Sequence, residues 1–108
     1  MDPHRISEER SLAYHRAIAE RLDDEPELIA RAIERIERWK RTNAGPPTYL
    51  ERWLALLQGP RRQLLQIMLA DDENARTMRS IGPFAGEMAP KERWNLWREV
   101  RKRLETTS

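Results

Sequence analysis

The sequence predicts an all-α fold, a single domain of five or six short amphipathic helices spanning residues 1–108. Three observations carry this reading. Apolar residues recur three and four positions apart, as on the buried faces of helices. No stretch alternates apolar and polar residues in the manner of a half-buried strand. Breaks rich in Pro, Gly or Asp divide the chain at 23–27, 42–48, 59–60, 71–73 and 81–90. At 108 residues the chain has the length of one domain and can bury a modest core. Charged residues make up 35% and apolar residues 39%, a polar balance, but the apolar pattern argues against disorder.

The first helix is expected from about Glu8 to Leu22, with Ser7 as its N-cap. Leu12, His15, Ile18, Ala19 and Leu22 share one face at 100° per residue, and Tyr14 flanks it. The segment "DDEPE" ends this helix and starts the next. Asp24 and Glu27 have the spacing of a capping box, and Pro26 suits a first turn. The second helix runs to about Lys40 with the clearest amphipathic pattern, Leu28, Ile29, Ala32, Ile33, Ile36 and Trp39. Its outer face places Glu27, Glu34 and Glu37 four residues before Arg31, Arg38 and Arg41, a spacing that favours weak ion pairs.

After the "TNAGPPT" loop, Thr48 and Glu51 repeat the capping-box spacing. A short helix follows to about Gln58, with Tyr49, Leu50, Trp53, Leu54 and Leu57 on one side. Gly59-Pro60 ends it and opens a fourth helix. There Leu64, Leu65, Ile67, Met68 and Leu69 surround most of the circumference, which predicts a central, buried helix. Acidic residues 71–73 open a fifth helix ending near Ser80. The last helix runs from about Pro90 to Leu104 or Glu105, with Trp94, Trp97, Val100 and Leu104 as its apolar face. Residues 1–6 and 105–108 are expected to fray.

Composition narrows the chemistry. There are no cysteines, which excludes disulfides, thiol catalysis and Cys-ligated zinc. The charged N-terminus does not read as a signal peptide, and no apolar run approaches the ~18 residues of a membrane span. The expected location is cytoplasmic. His15 reads as a core histidine satisfied by one hydrogen bond. A metal site would need convergent ligands that the pattern does not supply, so no metal or cofactor is expected. With no phosphate loop and no nucleophile–base set, the chain reads as a non-enzyme.

Asp23, Asp24 and Glu25, and likewise Asp71, Asp72 and Glu73, sit at helix starts, where carboxylates complement the dipole. They also offer an acidic contact surface to a basic partner. A helix-turn-helix over 60–80 is disfavoured, because its recognition helix would begin with Asp71, Asp72 and Glu73 facing phosphates. The last helix suits a ligand better. Lys91, Arg98 and Lys102 form a stripe with Asn95 beside it, in a segment where basic residues outnumber acidic ones.

The corner "GPFAGEMAPKERWNLW" sets the only Phe and two of the four Trp residues beside a tight break. Gly82 and Gly86 are expected to let the chain bend, Pro83 to stiffen it and Phe84 to turn into the core. The alternative is an aromatic anchor for a partner, built from Phe84, Trp94 and Trp97 with Arg98, Arg101 and Lys102, since Trp and Arg dominate binding hot spots.

The segments "ISEERSLAYHRAIAERL", "ARAIERIERW", "WLALLQGP" and "MRSIGPFAGEMAPKERWNLWREVR" resemble a family of short bacterial helical proteins, with "PFAG" followed by "ERW" as the most distinctive part. Family members usually carry Ser where Gly82 stands here, a departure that removes a cap or turn contact. The resemblance implies the small partner of a two-gene, toxin–antitoxin-like or regulatory module, and it brings no catalytic residues. The resulting expectation is an antitoxin-like interaction module that occludes a protein encoded by an adjacent gene. Self-association into a homodimer through an apolar face is compatible with it. A DNA-binding regulator using Lys91, Arg98, Arg101 and Lys102 is the alternative. A non-catalytic subunit of a larger enzyme is the third reading.

Overall fold

The helix around which the others gather is the first, α1 (Pro3–Arg21). It is followed by α2 (Glu27–Thr42), α3 (Pro47–Gln58), α4 (Arg61–Leu69), α5 (Glu73–Ser80) and α6 (Pro90–Thr107). These come from a computed structural model that describes residues 3–107. The domain is all-α, as the periodicity predicts, and the described residues contain no strand.

Helix α1 touches α4, α5 and α6. Its buried residues are therefore consecutive (Leu12, Ala13, Tyr14 and His15) before the helical spacing resumes at Ile18. This reverses one expectation. The apolar ring of α4 does not make that helix central, because only Leu64 and Met68 are fully buried and Leu69 is exposed. Helix α2 packs on α3, and α3 on α4. The α2 arc is as predicted, with Leu28, Ala32 and Ile36 fully buried and Ile29, Ile33 and Trp39 half-buried against the same core. Burying a Leu or Ile side chain stabilises by about 1.5–3 kcal/mol, so these positions anchor the helix more firmly than its surface charges do.

The ends depart from the sequence reading in four places. Helix α1 begins at Pro3, so Ser7 lies inside it and does not cap it. Neither expected capping box forms, since Pro26 and Pro46 occupy the N-cap positions of α2 and α3 without a side-chain bond. Proline presets the backbone for a helix start and lacks the N–H that would need a cap. The expected pairs along α2 also do not form, and Arg31 turns instead to Glu87. Finally, residues 3–6 and 105–107 are helical, whereas fraying was expected; residues 1, 2 and 108 lie outside the described residues. Ile6 packs against a small second core of Ala13, Val100 and Leu104, which joins the start of α1 to the last turns of α6.

Other termini follow local rules. Asp72 caps α5 by accepting the Ala75 N–H at 2.8 Å. Asn43 closes α2 in the left-handed conformation (φ 54°), where its N–H and that of Ala44 reach back to Lys40 and Trp39 carbonyls. Deep in the core, the Trp53 indole N–H donates to the Met78 carbonyl at 2.9 Å and ties α3 to α5. Its ring meets Phe84 edge-on at 6.2 Å. Trp53→Phe keeps an aromatic ring but shrinks a fully buried side chain and removes one of the two hydrogen bonds to that carbonyl, leaving it only the Ile81 N–H at 3.2 Å. It should lower stability by about 1–3 kcal/mol in urea unfolding, with secondary structure retained by circular dichroism.

Candidate functional site

The corner after α5 is held by side chains from two distant helices. The Tyr14 hydroxyl donates to the Phe84 carbonyl at 2.6 Å and accepts the Glu87 N–H at 3.3 Å. Burial raises the Tyr14 pKa, so the phenol keeps its proton for this bond. Arg35 donates to the Pro83 carbonyl at 2.5 Å, and Arg21 to the Glu87 carbonyl at 2.8 Å. The Glu87 carboxylate, only 8% exposed, lies 2.9 Å from Arg31 and 3.7 Å from Arg35. Gly86 adopts φ +80°, which suits glycine. Gly82 has a different role from the expected bend. A Cβ there would lie 3.0 Å from His15 Nε2 and 3.1 Å from the Arg79 carbonyl, so close approach, not a positive φ, explains it.

Phe84 is 1% exposed. It fills the core, as the structural reading of the corner expected, and the guess that it contacts a partner is corrected by that burial. Trp97 is half-buried, 6.4 Å from the Tyr14 ring, with the Arg10 guanidinium 5.6 Å from its own centroid. It too packs against the core.

Trp94 is different. It is 62% exposed in the second turn of a regular helix. The buried side of α6 consists of Val100 and Leu104 with half-buried Arg93, Leu96 and Trp97. That side points roughly 110° away from Trp94 at 100° per residue. Trp94 was assigned to the apolar face and belongs instead with exposed Lys91, Arg98 and Arg101. Lys102 is exposed at the edge of the same stripe. Arg98 bonds Asn95 Oδ1 at 2.5 Å, and Arg101 pairs with Glu105 at 3.3 Å, contacts that leave both side chains on the surface.

The acidic residues do not form one surface. Asp23 pairs with Arg61 at the start of α4, whereas Asp71 follows the end of α4 and bonds Arg76, each at 3.0 Å. A helix of nine residues, roughly 13 Å long, thus separates the two groups. Glu25 is held by Arg21 at 2.6 Å, and that bond lowers its pKa. Asp72 is the α5 cap, Glu73 lies in the first α5 turn, and Asp24 is exposed. Of the six, Asp72 alone caps a helix, and the contact surface expected from Asp23, Asp24, Glu25, Asp71, Asp72 and Glu73 is split in two.

His15 sits where the sequence placed it, in the core, with Nδ1 2.7 Å from the Ser11 carbonyl. A carbonyl only accepts, so Nδ1 carries the proton. Burial, with Arg79 nearby, lowers its pKa from 6.5 to about 4. No group of three or more His, Cys, Asp or Glu residues able to hold a metal occurs among the described residues. No helix among them is long and apolar enough to cross a membrane. No protein-family model, curated protein or solved structure matches the chain.

Sequence reasoning missed the buried arginine. Nothing in the local pattern singles out Arg79 in the last turn of α5, yet it is 4% exposed. Its Nη1 donates to the Ile67 and Ala70 carbonyls at 2.9 and 2.5 Å, closing the end of α4. Only the docking of α5 on α4 brings those carbonyls within reach.

The His15 environment has a consequence for stability. The folded state resists protonation that the unfolded chain accepts near pH 6.5, so the stabilisation is complete above that pH and is lost as pH falls towards about 4. The loss over that window should be about 3 kcal/mol at 1.36 kcal/mol per pH unit. Denaturant unfolding at several pH values should show this slope, and His15→Gln should flatten it.

Proposed function

We propose that this chain is a small cytoplasmic interaction module, antitoxin-like in action, that restrains a partner protein by covering a functional surface. The observation that carries this reading is Trp94. A large aromatic residue, 62% exposed on a rigid helix, contributes nothing comparable to the core and is suited to fill a pocket on another protein. Its neighbours define the partner's chemistry. Lys91, Arg98, Arg101 and Lys102 favour a pocket ringed by carboxylates, which would orient the encounter and set specificity. The partner most consistent with the two-gene resemblance is a toxin encoded by an adjacent gene. The exposed basic stripe of α6 favours a second reading, in which the helix contacts DNA phosphates as a transcriptional regulator.

Two measurements distinguish these readings. The tagged chain should retain one stoichiometric protein from its source cells at ~0.3 M salt, where phosphate contacts are weakened. With that protein purified, Trp94→Ala should weaken binding by at least ~30-fold and relieve inhibition of the partner, the signature of a hot spot near 2 kcal/mol. Its own stability should change by less than about 0.5 kcal/mol, as for a surface substitution. Trp97→Ala should instead cost about 2 kcal/mol or more of stability. Nucleic acid retained alone, and released as salt rises, would replace the neutraliser with the regulator. Full binding by Trp94→Ala would remove Trp94 as the anchor.

A further inference from the structure

Behind the corner lies a cleft of about 410 Å³, bounded by α1, the end of α5, the 82–86 segment and α6. Its lining is cationic, with Arg10, Arg79 and Arg93, and no Asp or Glu lines it. Ser7, Ser11 and Ser80 also line it, and Trp97 and Tyr14 supply aromatic wall. Arg93 makes no ion pair among the described residues.

Two lining side chains are more than nine-tenths buried, and each has polar atoms without a partner. Arg79 is 4% exposed, and its Nε and Nη2 are unpartnered. That edge is the fork that takes two oxygens of an oxyanion. Arg21 uses the same two nitrogens on Glu25, at 2.6 and 2.9 Å. In Arg79 the remaining nitrogen, Nη1, is already committed to the Ile67 and Ala70 carbonyls, which hold the guanidinium in place. His15 is 5% exposed, and its Nε2 is unpartnered as well. Because Nδ1 donates to Ser11, Nε2 keeps a lone pair able to accept a hydrogen bond, and it lies beneath Gly82 at the edge of the cleft. Arg10 contributes a third such group, its Nε, from the side that stacks on Trp97.

We propose that this cleft binds a phosphate group, either free or as the monoester of a small molecule. The donors suit an oxyanion of any kind. The acceptor decides among them. A phosphate near its second ionisation still carries one O–H, which can donate to His15 Nε2 while the other oxygens take the Arg79 edge and Arg10. Sulfate and carboxylate have no such hydrogen at neutral pH and would leave the imidazole lone pair facing an anion. The neighbouring cleft shares Ser7, Ser11, Arg79 and Ser80 but also contains Glu8, so the anion belongs on the side of Trp97. Trp94 does not line this cleft.

The test uses the purified full chain at pH 6, with inorganic phosphate, phenyl phosphate and sulfate titrated at constant ionic strength. The ring nitrogens of His15 are followed by ¹⁵N NMR, and affinity by calorimetry. Inorganic phosphate should move the His15 Nε2 resonance and bind at least ~10-fold more tightly than sulfate. Arg10→Gln with Arg93→Gln, two half-buried lining residues, should weaken it at least ~10-fold in a variant that circular dichroism shows to be folded. Trp94→Ala should leave it unchanged. Phenyl phosphate binding at least ~10-fold tighter than inorganic phosphate assigns the site to a monoester whose body packs on Trp97 and Tyr14. Equal affinities assign it to free phosphate. A still His15 resonance, sulfate binding as tightly as phosphate, or full affinity in the double variant would overturn the proposal.

Discussion

The structure depends on how the 82–88 corner is tied to α1 and α2. A segment without regular structure has carbonyls and N–H groups that must find partners once buried. Here Tyr14 and Arg21 of α1, and Arg31 and Arg35 of α2, reach those of Pro83, Phe84 and Glu87 and the Glu87 carboxylate. The contacts join residues between 48 and 73 positions apart in sequence. With the corner fixed, Phe84 is directed between Trp53 and His15, edge-on to both rings, and the backbone emerges at the angle from which Pro90 starts α6.

From that starting point, α6 runs back along α1. The antiparallel match places Trp97 against Tyr14 and Arg10, then Val100 and Leu104 against Ala13 and Ile6. One side of α6 is thereby used up, and its other side, with Trp94 among cations, remains on the surface. The binding reading therefore rests on the same clamp as the fold. Loosening the corner would alter the direction of α6 and the presentation of Trp94 together.

Buried polar groups are concentrated where α1 meets α5 and the corner. Tyr14, His15 and Arg79 all lie there, and each is anchored through a backbone carbonyl. Elsewhere the core is apolar and built from residues such as Leu28, Ile36, Leu50 and Met68. A small domain with few residues to bury places polar groups in its interior at a cost in desolvation. The concentration of that cost along one cleft is the reason the cleft, and not the outer surface alone, invites a ligand.

Much of the fold was legible in the sequence because it is local. The spacing of Leu28, Ala32 and Ile36 defines a helix face whatever that face packs on, and Asp72 caps a helix with its own neighbours. The core histidine and the inward turn of Phe84 were legible for the same reason, as an apolar face and a bend. What the sequence by itself determined is thus an all-α chain, its six helical segments and most of their buried faces. What only the tertiary structure decided is which helix is central, which side of α6 Trp94 occupies, where Arg79 and Glu87 go, and that the acidic groups lie apart. Those outcomes depend on groups brought together across dozens of residues, and helical periodicity constrains neighbours only a turn or two away.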